Sequence, residues 1–169
     1  MVHSIELLFD PDTESAIRAV WQQLSDAGLR SPPQTSRPHV TTVVADRIAP
    51  DVDRLLAPVN AHFPMPAVVG APMVFGRSPL ILVRAVLPSA ELLAVHATAL
   101  AACAQHAVPG PAGNTLTGRW SPHVTLARRV QPSQLEQVLR KRAVSREIDA
   151  TVVGVRRWDG DKRVEHLIT

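Results

Sequence analysis

The tetrapeptide Pro38-His39-Val40-Thr41 occurs a second time, unchanged, as Pro122-His123-Val124-Thr125, 84 positions further along the chain. Each copy begins with proline, which has no backbone N–H to donate and therefore suits the first position of a strand. Side chains on a strand alternate between its two faces, so the histidine and threonine of each copy share one face. The repeat predicts two equivalent strands, each presenting one imidazole and one hydroxyl.

The elements around the two copies follow the same order. Apolar strands, amphipathic helices and turn signals read β-α-β-α-β over residues 1–78 and β-α-β-α-β-β over residues 79–169. We infer an internal duplication of a unit of about eighty residues, and since neither unit alone buries much core, the two should pack as one domain over residues 1–169. The expected fold class is α+β: two similar lobes related by a pseudo-twofold axis, with antiparallel-type sheets flanked by helices and a central cleft.

Helix and strand boundaries carry local signals. The motif strands are expected to run over 39–45 and 123–130, and a helix is expected over 51–60, where Val52, Leu55, Leu56 and Val59 share one face. Asp10-Pro11 and Ser89 are typical helix starts, and Ser133 with Glu136 has the spacing of a capping box.

Composition excludes several classes of protein. The 169 residues are 46% hydrophobic, which is ordinary for a globular chain, and the single cysteine, Cys103, rules out an intrachain disulfide and a cysteine-based zinc cluster. No apolar run reaches the ~20 residues that span a bilayer, and the N-terminus lacks a basic segment followed by an apolar one. We therefore expect a cytoplasmic protein with no membrane association and no obligate protein partner.

The charge balance favours a phosphate-bearing ligand over a broad nucleic-acid surface. The net charge is only +3, and Lys141 and Lys162 are the only lysines among 18 basic residues, the rest being arginine. Arginine can hold phosphate oxygens through two parallel hydrogen bonds. A compositional bias towards arginine is the alternative explanation, and the sequence leaves both open.

The two motifs suggest a chemistry if the lobes bring them to one cleft. Two facing imidazoles can be one neutral and one protonated near pH 7, and so act as general base and general acid. The hydroxyls of Thr41 and Thr125 can donate to two oxygens of a tetrahedral anion. The sum is a phosphodiester site that needs no metal or other cofactor. Zinc binding by His39, His123 and a third histidine is disfavoured because closed ligand spacing is missing.

These two His-x-Thr motifs in a duplicated chain resemble the two-histidine (2H) phosphoesterase superfamily, which includes 2′-5′ RNA ligase-like proteins and RNA 2′,3′-cyclic phosphodiesterases. The resemblance implies that His39 and His123 are the catalytic pair and that Thr41 and Thr125 bind phosphate. The second motif continues as Leu126-Ala127-Arg128, similar to the His-x-Thr-Leu-x-Arg form of the bacterial RNA branch, so Arg128 becomes a candidate phosphate or substrate contact. Its offset of five from the histidine puts it on the opposite strand face unless a bulge re-aims it.

The resemblance implies metal-independent hydrolysis of 2′,3′-cyclic phosphate termini of RNA or of small cyclic nucleotides, with 2′-5′ RNA ligation as the reverse of related chemistry. The alternative is a non-catalytic nucleotide- or RNA-binding module that uses the same cleft. Trp120, three residues before His123, is a candidate for stacking a base, and packing within its own loop is the alternative role.

Overall fold

The computed structural model describes residues 2–169 and shows an α+β chain over that range. Its strands are, in chain order, β1 His3–Phe9, β2 His39–Ala45, β3 Arg47–Ile48, β4 Met65–Phe75, β5 Leu80–Val86, β6 Ala107–Val108, β7 His123–Val130, β8 Ile148–Asp159 and β9 Val164–Leu167. Its α-helices are α1 Pro11–Asp26, α2 Val52–Leu56, α3 Ala90–Cys103, α4 Pro132–Leu139 and α5 Arg142–Ser145. Two 3₁₀ helices occupy Ala57–His62 and Gly113–Thr115.

Seven strands form one antiparallel sheet in the order β2-β1-β8-β4-β5-β7, and β9 pairs with β8. The long strand β8 changes neighbours along one edge: Ile148 to Val152 pair with β4, and Arg156 to Asp159 pair with β9. The short strands β3 and β6 form a separate two-stranded sheet.

The order of the sheet displays the duplication. If each strand is replaced by its counterpart in the other repeat (β2 by β7, β1 by β5, β8 by β4), the order reads the same from either end. The repeats also exchange strands, because β4 of the first repeat pairs with β5 of the second, and β8 of the second pairs with β1 of the first. The sheets of the two units are therefore joined into one, with the pseudo-twofold axis between β4 and β8.

The two ends of this sheet come together. The end strands β2 and β7 are in contact, although four strands separate them in the hydrogen-bonding order. Helix α1 of the first repeat packs on β7, and helix α3 of the second packs on β2, so each helix crosses to the other repeat's motif strand. The sheet therefore curls until its two motif strands are neighbours.

The helix starts follow the sequence signals in two cases out of three. Asp10 accepts from the backbone N–H of Thr13 at 3.2 Å, and Ser89 accepts from that of Leu92 at 3.1 Å. The capping box expected at Ser133 and Glu136 is wrong: Pro132 takes the first helical position, and the backbone N–H of Gln131 donates to the Gln134 side chain at 2.9 Å. Proline suits that position because its missing N–H would have no partner there.

One hydrophobic core runs through both repeats. It includes Val40 and Val124, the valines between the histidine and threonine of each motif, which are buried as the strand alternation requires. The predicted α+β class, with duplicated units and an antiparallel sheet flanked by helices, is confirmed. Within residues 2–169, none of the helices combines the length and the hydrophobicity required to cross a membrane.

Candidate active site

The two motif histidines are held in the same way. The Nδ1 of His39 lies 2.8 Å from the carbonyl oxygen of Arg37, and the Nδ1 of His123 lies 2.6 Å from that of Ser121. A carbonyl oxygen can only accept, so in both rings Nδ1 carries the hydrogen. The Nε2 atoms are therefore the ones that exchange a proton with a ligand, and each ring's orientation is fixed by the backbone two residues upstream.

The motif threonines lie on strands that are braced by tryptophan. The indole N–H of Trp120 donates to the carbonyl oxygen of Thr41 at 2.9 Å, and the indole N–H of Trp21 donates to that of Thr125 at 2.9 Å. In each case the tryptophan belongs to the other repeat. These matched hydrogen bonds tie the two repeats together at the strands that carry the motifs.

A β-bulge follows each motif threonine. In the pairing of β2 with β1, Thr41 and Val43 face consecutive residues of β1, so the residue between them has no partner. Thr125 and Ala127 of β7 face consecutive residues of β5 in the same way. An inserted residue reverses the alternation of the side chains beyond it. The bulge therefore brings Arg128 onto the face of β7 that carries His123. This is the placement that a contact between Arg128 and the ligand of His123 requires.

A cleft runs beside His39 and consists of two adjoining cavities. Both are lined by Arg37, His39 and Arg128. The first, of about 500 Å³, continues to Thr125 and is rich in arginine; we call it the arginine arm, defined by Arg30, Thr125, Arg128 and Arg129.

The second cavity has a volume of about 690 Å³ and contains the first motif threonine. We call it the acidic arm, defined by Glu6, Thr41, Arg156 and Trp158. The structure thus brings Thr41, Thr125 and Arg128 to one cleft around His39. His123 is half-buried at the start of β7 and lies within electrostatic range of His39 and Arg128.

The two imidazoles lie in different electrostatic surroundings. Burial lowers the pKa of His123, and the charges of His39 and Arg128 lower it further against the opposing hydrogen bond to Ser121. The Nε2 of His39 instead lies 3.6 Å from a carboxylate oxygen of Glu6. Sequence reasoning missed Glu6, although a carboxylate in the otherwise apolar stretch Ile5–Phe9 is a signal, since buried acidic residues need a partner.

Comparison with protein families identifies the chain. The model of the 2′-5′ RNA ligase superfamily matches residues 10–163. The chain belongs to the 2′-5′ RNA ligase superfamily. This is the two-histidine phosphoesterase superfamily that the paired motifs resemble, so the prediction of the family is confirmed, and phosphoester chemistry is its functional class. No curated protein sequence matches the chain.

Solved structures share the superfamily fold at low sequence identity. The protein TT0787 of Thermus thermophilus has a TM-score of 0.61 at 14% identity, over 100% of this chain and 96% of that one. Escherichia coli LigT has 0.57 at 10%, over 99% and 94%. Kluyveromyces marxianus Usb1 has 0.56 at 13%, over 99% and 97%. Structures of LigT with 3′-AMP and of Usb1 with uridine monophosphate are among the similar ones.

In this member of the 2′-5′ RNA ligase superfamily, Trp120 is part of the packing around the motif strand. Its ring stacks on His96 with the centroids 4.0 Å apart and the planes 3° from parallel, and its N–H is bonded to Thr41. One face of the Trp120 indole is thus covered by packing within the protein. Stacking of a base on Trp120 stays a prediction for the other face.

A group of side chains with metal-ligand character lies outside the cleft. His3, Asp159 and Asp161 bring ligand atoms within 4.8 Å of one another. The backbone N–H of Ile48 donates to Nδ1 of His3, so the ring's proton sits on Nε2, which lies 3.4 and 3.3 Å from the two carboxylates. This geometry is that of a histidine bound to two carboxylates, and it connects the start of β1 to the turn after β8.

Proposed function

We propose that the chain is a phosphodiesterase that hydrolyses 2′,3′-cyclic phosphate ends of RNA without a metal ion. His39 and His123 exchange the protons, and Thr41, Thr125 and Arg128 hold the phosphate. Joining of RNA ends through a 2′-5′ bond is the reverse of related chemistry and would use the same groups.

The observation that carries this proposal is the meeting of the two motif strands at the ends of the curled sheet. Each strand brings an imidazole whose Nδ1 is already bonded to a backbone carbonyl, and a threonine beside it. Two histidines in matching tautomers, one in the cleft with Arg128 and the other within electrostatic range of both, have the composition of a general acid–base pair around an anion.

The proposed reaction is a displacement at phosphorus. A water molecule attacks the cyclic phosphate, one imidazole accepts its proton, and the bond from phosphorus to one ribose oxygen breaks. The other imidazole delivers a proton to that oxygen, leaving a phosphomonoester and a free hydroxyl. Hydrogen bonds from threonine hydroxyls and the arginine guanidinium stabilise the charge that grows on the phosphoryl oxygens.

The arginine arm favours an RNA end over a free mononucleotide. Arg30, Arg128 and Arg129 are exposed, and none of them makes an ion pair within residues 2–169. A cyclic mononucleotide carries a single phosphate, whereas an RNA chain carries one at every link. Three unpaired guanidinium groups in one cavity match the repeated charge of the polymer.

The experiment measures turnover of an oligonucleotide that ends in a 2′,3′-cyclic phosphate, in excess EDTA, for the wild type, His39→Ala and His123→Ala. We expect turnover by the wild type and a loss of about 10²- to 10⁴-fold in each variant, the usual contribution of general acid–base catalysis. His62→Ala, at a half-buried histidine outside the cleft, is the matched control and should retain the wild-type rate.

Two results would contradict the proposal. Full activity in both motif variants would remove the histidines from the reaction. Tight binding of the oligonucleotide without turnover by the wild type would favour the binding module instead.

A further inference from the structure

The two motifs are identical, but the residues that face them across the strand pairs are not. Thr41 lies opposite Glu6 on β1, and Thr125 lies opposite Val83 on β5. These positions correspond under the pseudo-twofold symmetry. One repeat therefore places a carboxylate where the other places an apolar side chain.

Glu6 is buried and firmly held. It is 5% exposed, its Oε1 accepts from the Ser4 hydroxyl at 2.6 Å, and its Oε2 accepts from Arg156 at 2.8 Å. Burial raises the pKa of Glu6, but the charges of His39 and Arg156 and the hydrogen bonds outweigh it and lower the pKa overall. The carboxylate is therefore ionised near neutral pH.

The position of this carboxylate relative to His39 is specific. Glu6 Oε1 lies 3.6 Å from Nε2, the nitrogen left free by the bond from Nδ1 to Arg37. That distance is too long for a hydrogen bond and short enough for an ion pair. Glu6 can therefore stabilise a positive charge on the ring without removing the proton from Nε2.

Other charged groups surround His39, and two of the arginines are neutralised by partners of their own. Arg37 pairs with Glu14 at 3.0 Å, and Arg156 pairs with Glu165 at 2.7 Å as well as with Glu6. The charged and titratable groups that line the two cavities with His39, or lie within electrostatic range of it, are Glu6, Arg30, Arg37, His123, Arg128, Arg129, Arg156, Arg163 and Glu165. Within residues 2–169, Glu6 is the carboxylate that lies within 4 Å of its imidazole.

His123 has the opposite surroundings. Its ring meets that of Phe75 edge to face, with centroids 4.9 Å apart and planes at 74°. Within residues 2–169, no carboxylate oxygen lies within 4 Å of it, and Arg128 is its charged neighbour. An apolar contact and a nearby cation both favour the neutral ring.

From this asymmetry we infer that Glu6 is a positioning residue that sets the direction of proton transfer, making His39 the acid and His123 the base. The inference rests on the proposed function and assigns the two roles within it. His123 Nε2 takes the proton of the attacking water, and His39 Nε2–H protonates the ribose oxygen as its bond to phosphorus breaks. The two proton transfers leave a neutral His39 and a protonated His123, and solvent exchange restores the starting state.

The first test compares leaving groups. An acid is needed to expel a ribose oxygen from adenosine 2′,3′-cyclic phosphate, but p-nitrophenolate leaves thymidine 3′-(p-nitrophenyl phosphate) without a proton. We expect His39→Ala to lose at least about 100-fold on the cyclic nucleotide and less than about tenfold on the nitrophenyl ester. His123→Ala should lose at least about 100-fold on both, because the water must still be activated. The reverse pattern, or equal losses, would overturn the assignment.

The second test applies the same two substrates to Glu6. Glu6→Gln removes the carboxylate that lies 3.6 Å from Nε2 of His39, so we expect a loss of at least about tenfold on the cyclic nucleotide and of less than about twofold on the nitrophenyl ester. Glu6→Asp keeps the charge and should lose less than Glu6→Gln on the cyclic nucleotide. Asp51→Asn is the control, since it removes an exposed carboxylate outside the cleft, and it should keep the wild-type rate on both substrates.

The outcomes separate this inference from the proposed function. A wild-type protein that turns over no cyclic phosphate overturns both. A wild-type protein that turns it over, with no loss or equal losses on the two substrates in Glu6→Gln, overturns the inference alone. If Glu6→Gln does not fold, Glu6→Asp on the two substrates and the leaving-group test of His39→Ala and His123→Ala still decide the direction.

Discussion

Arg30 and Arg129 differ from Arg37 and Arg156 in a simple way: they line the same cleft but make no ion pair within the described part of the chain. Arg129 also has a positive φ of 54°, a conformation that costs a non-glycine residue energy. It lies where β7 is out of register with β5 for a second time. An arginine held in this way beside two others is suited to a ligand with several phosphates.

We predict that the double variant Arg30→Ala/Arg129→Ala raises KM for an RNA that ends in a cyclic phosphate and leaves KM for the cyclic mononucleotide nearly unchanged. Each lost phosphate contact should also reduce the slope of log KM against log salt by about 0.7 for a single strand. Steady-state kinetics over a series of salt concentrations measure both effects.

The matched control for this pair is Arg54→Ala/Arg140→Ala, which removes the same charge from guanidinium groups that are 86% and 78% exposed and lie outside the cleft. Equal effects of the two double variants would show that only net charge matters. The arginine arm would then have no particular role in binding RNA.

Some site residues could be identified from the sequence and others could not. His39, Thr41, His123 and Thr125 could be identified because they belong to a repeated tetrapeptide, which is recognisable without knowledge of the fold. Glu6 could not, since its role depends on Arg156, which is 150 positions away in the chain and adjacent only across the paired strands. The signal for Glu6 in the sequence was a carboxylate in an apolar strand, which indicates a buried partner but not its identity.

Among the elements, the bulges in β2 and β7 have the most direct effect on the site. Thr42 is the residue left over in β2, and it is completely buried with its hydroxyl donating to the Ile5 carbonyl at 2.9 Å. That hydrogen bond fixes the bulge to the neighbouring strand β1. It thereby sets the twist of the segment that carries His39 and Thr41.

We predict that Thr42→Val lowers the free energy of unfolding by about 1 kcal/mol, because the Ile5 carbonyl loses a buried donor. It should also lower kcat several-fold by loosening the bulge next to the cleft. Chemical denaturation and steady-state kinetics check the two parts. Thr98→Val removes an exposed helical hydroxyl and should change stability by less than about 0.5 kcal/mol; a similar loss in both variants would contradict a special role for the bulge.

The elements that the sequence located best are those with short-range signals. The motif strands begin and end at 39–45 and 123–130 as predicted, since proline and the alternation of side chains define them locally. The helix expected over 51–60 is instead α2 followed by a 3₁₀ helix, because Pro58 cannot donate the hydrogen bond that an α-helix requires. The bulges left no sequence signal, so the face of Arg128 was open until the register was known.

At the scale of the whole molecule, a chain of ion pairs connects elements from both ends of the sequence to the cleft. It runs from Arg18 and Glu14 on α1 through Arg37 to Glu165 on β9, and then through Arg156 on β8 to Glu6 on β1. The segment before β2 is held between α1 and the C-terminal hairpin by this chain. Arg37, whose carbonyl oxygen accepts from the His39 ring, is therefore tied by ion pairs to elements from both ends of the sequence.

We predict that acid destabilises the protein through these groups. The pKa of Glu6 is lower in the folded chain than its ordinary 4.5, so its contribution is complete above that value and is lost as the pH falls through the folded pKa. The lowered pKa of His123 acts in the same direction at less acidic pH. Chemical denaturation should give a smaller free energy of unfolding at pH 4 than at pH 7.

The variant Glu6→Gln tests the origin of this pH dependence, since its difference between pH 4 and pH 7 should be smaller than that of the wild type. Asp51→Asn, at a carboxylate that is 73% exposed, should keep the wild-type difference. Equal differences in all three proteins would assign the acid sensitivity to other groups.

The architecture was predictable from the repeat to the level of fold class and family. The pairing of β4 with β5 and of β8 with β1 could not be predicted. A duplicated sequence is equally compatible with strands that pair only within their own repeat and with strands that pair with the other repeat.

The pairing of strands between the two repeats has a consequence for how a site of this kind can be assembled. A primordial peptide of half the length, with one His-x-Thr segment, would have possessed neither a full sheet nor a second imidazole. Two identical copies, each pairing its third long strand with the first strand of the other, would have had both, so a homodimer of such copies has the composition of the present site. A single chain allows the two halves to differ, and glutamate in one with valine in the other is a difference that two identical subunits cannot hold.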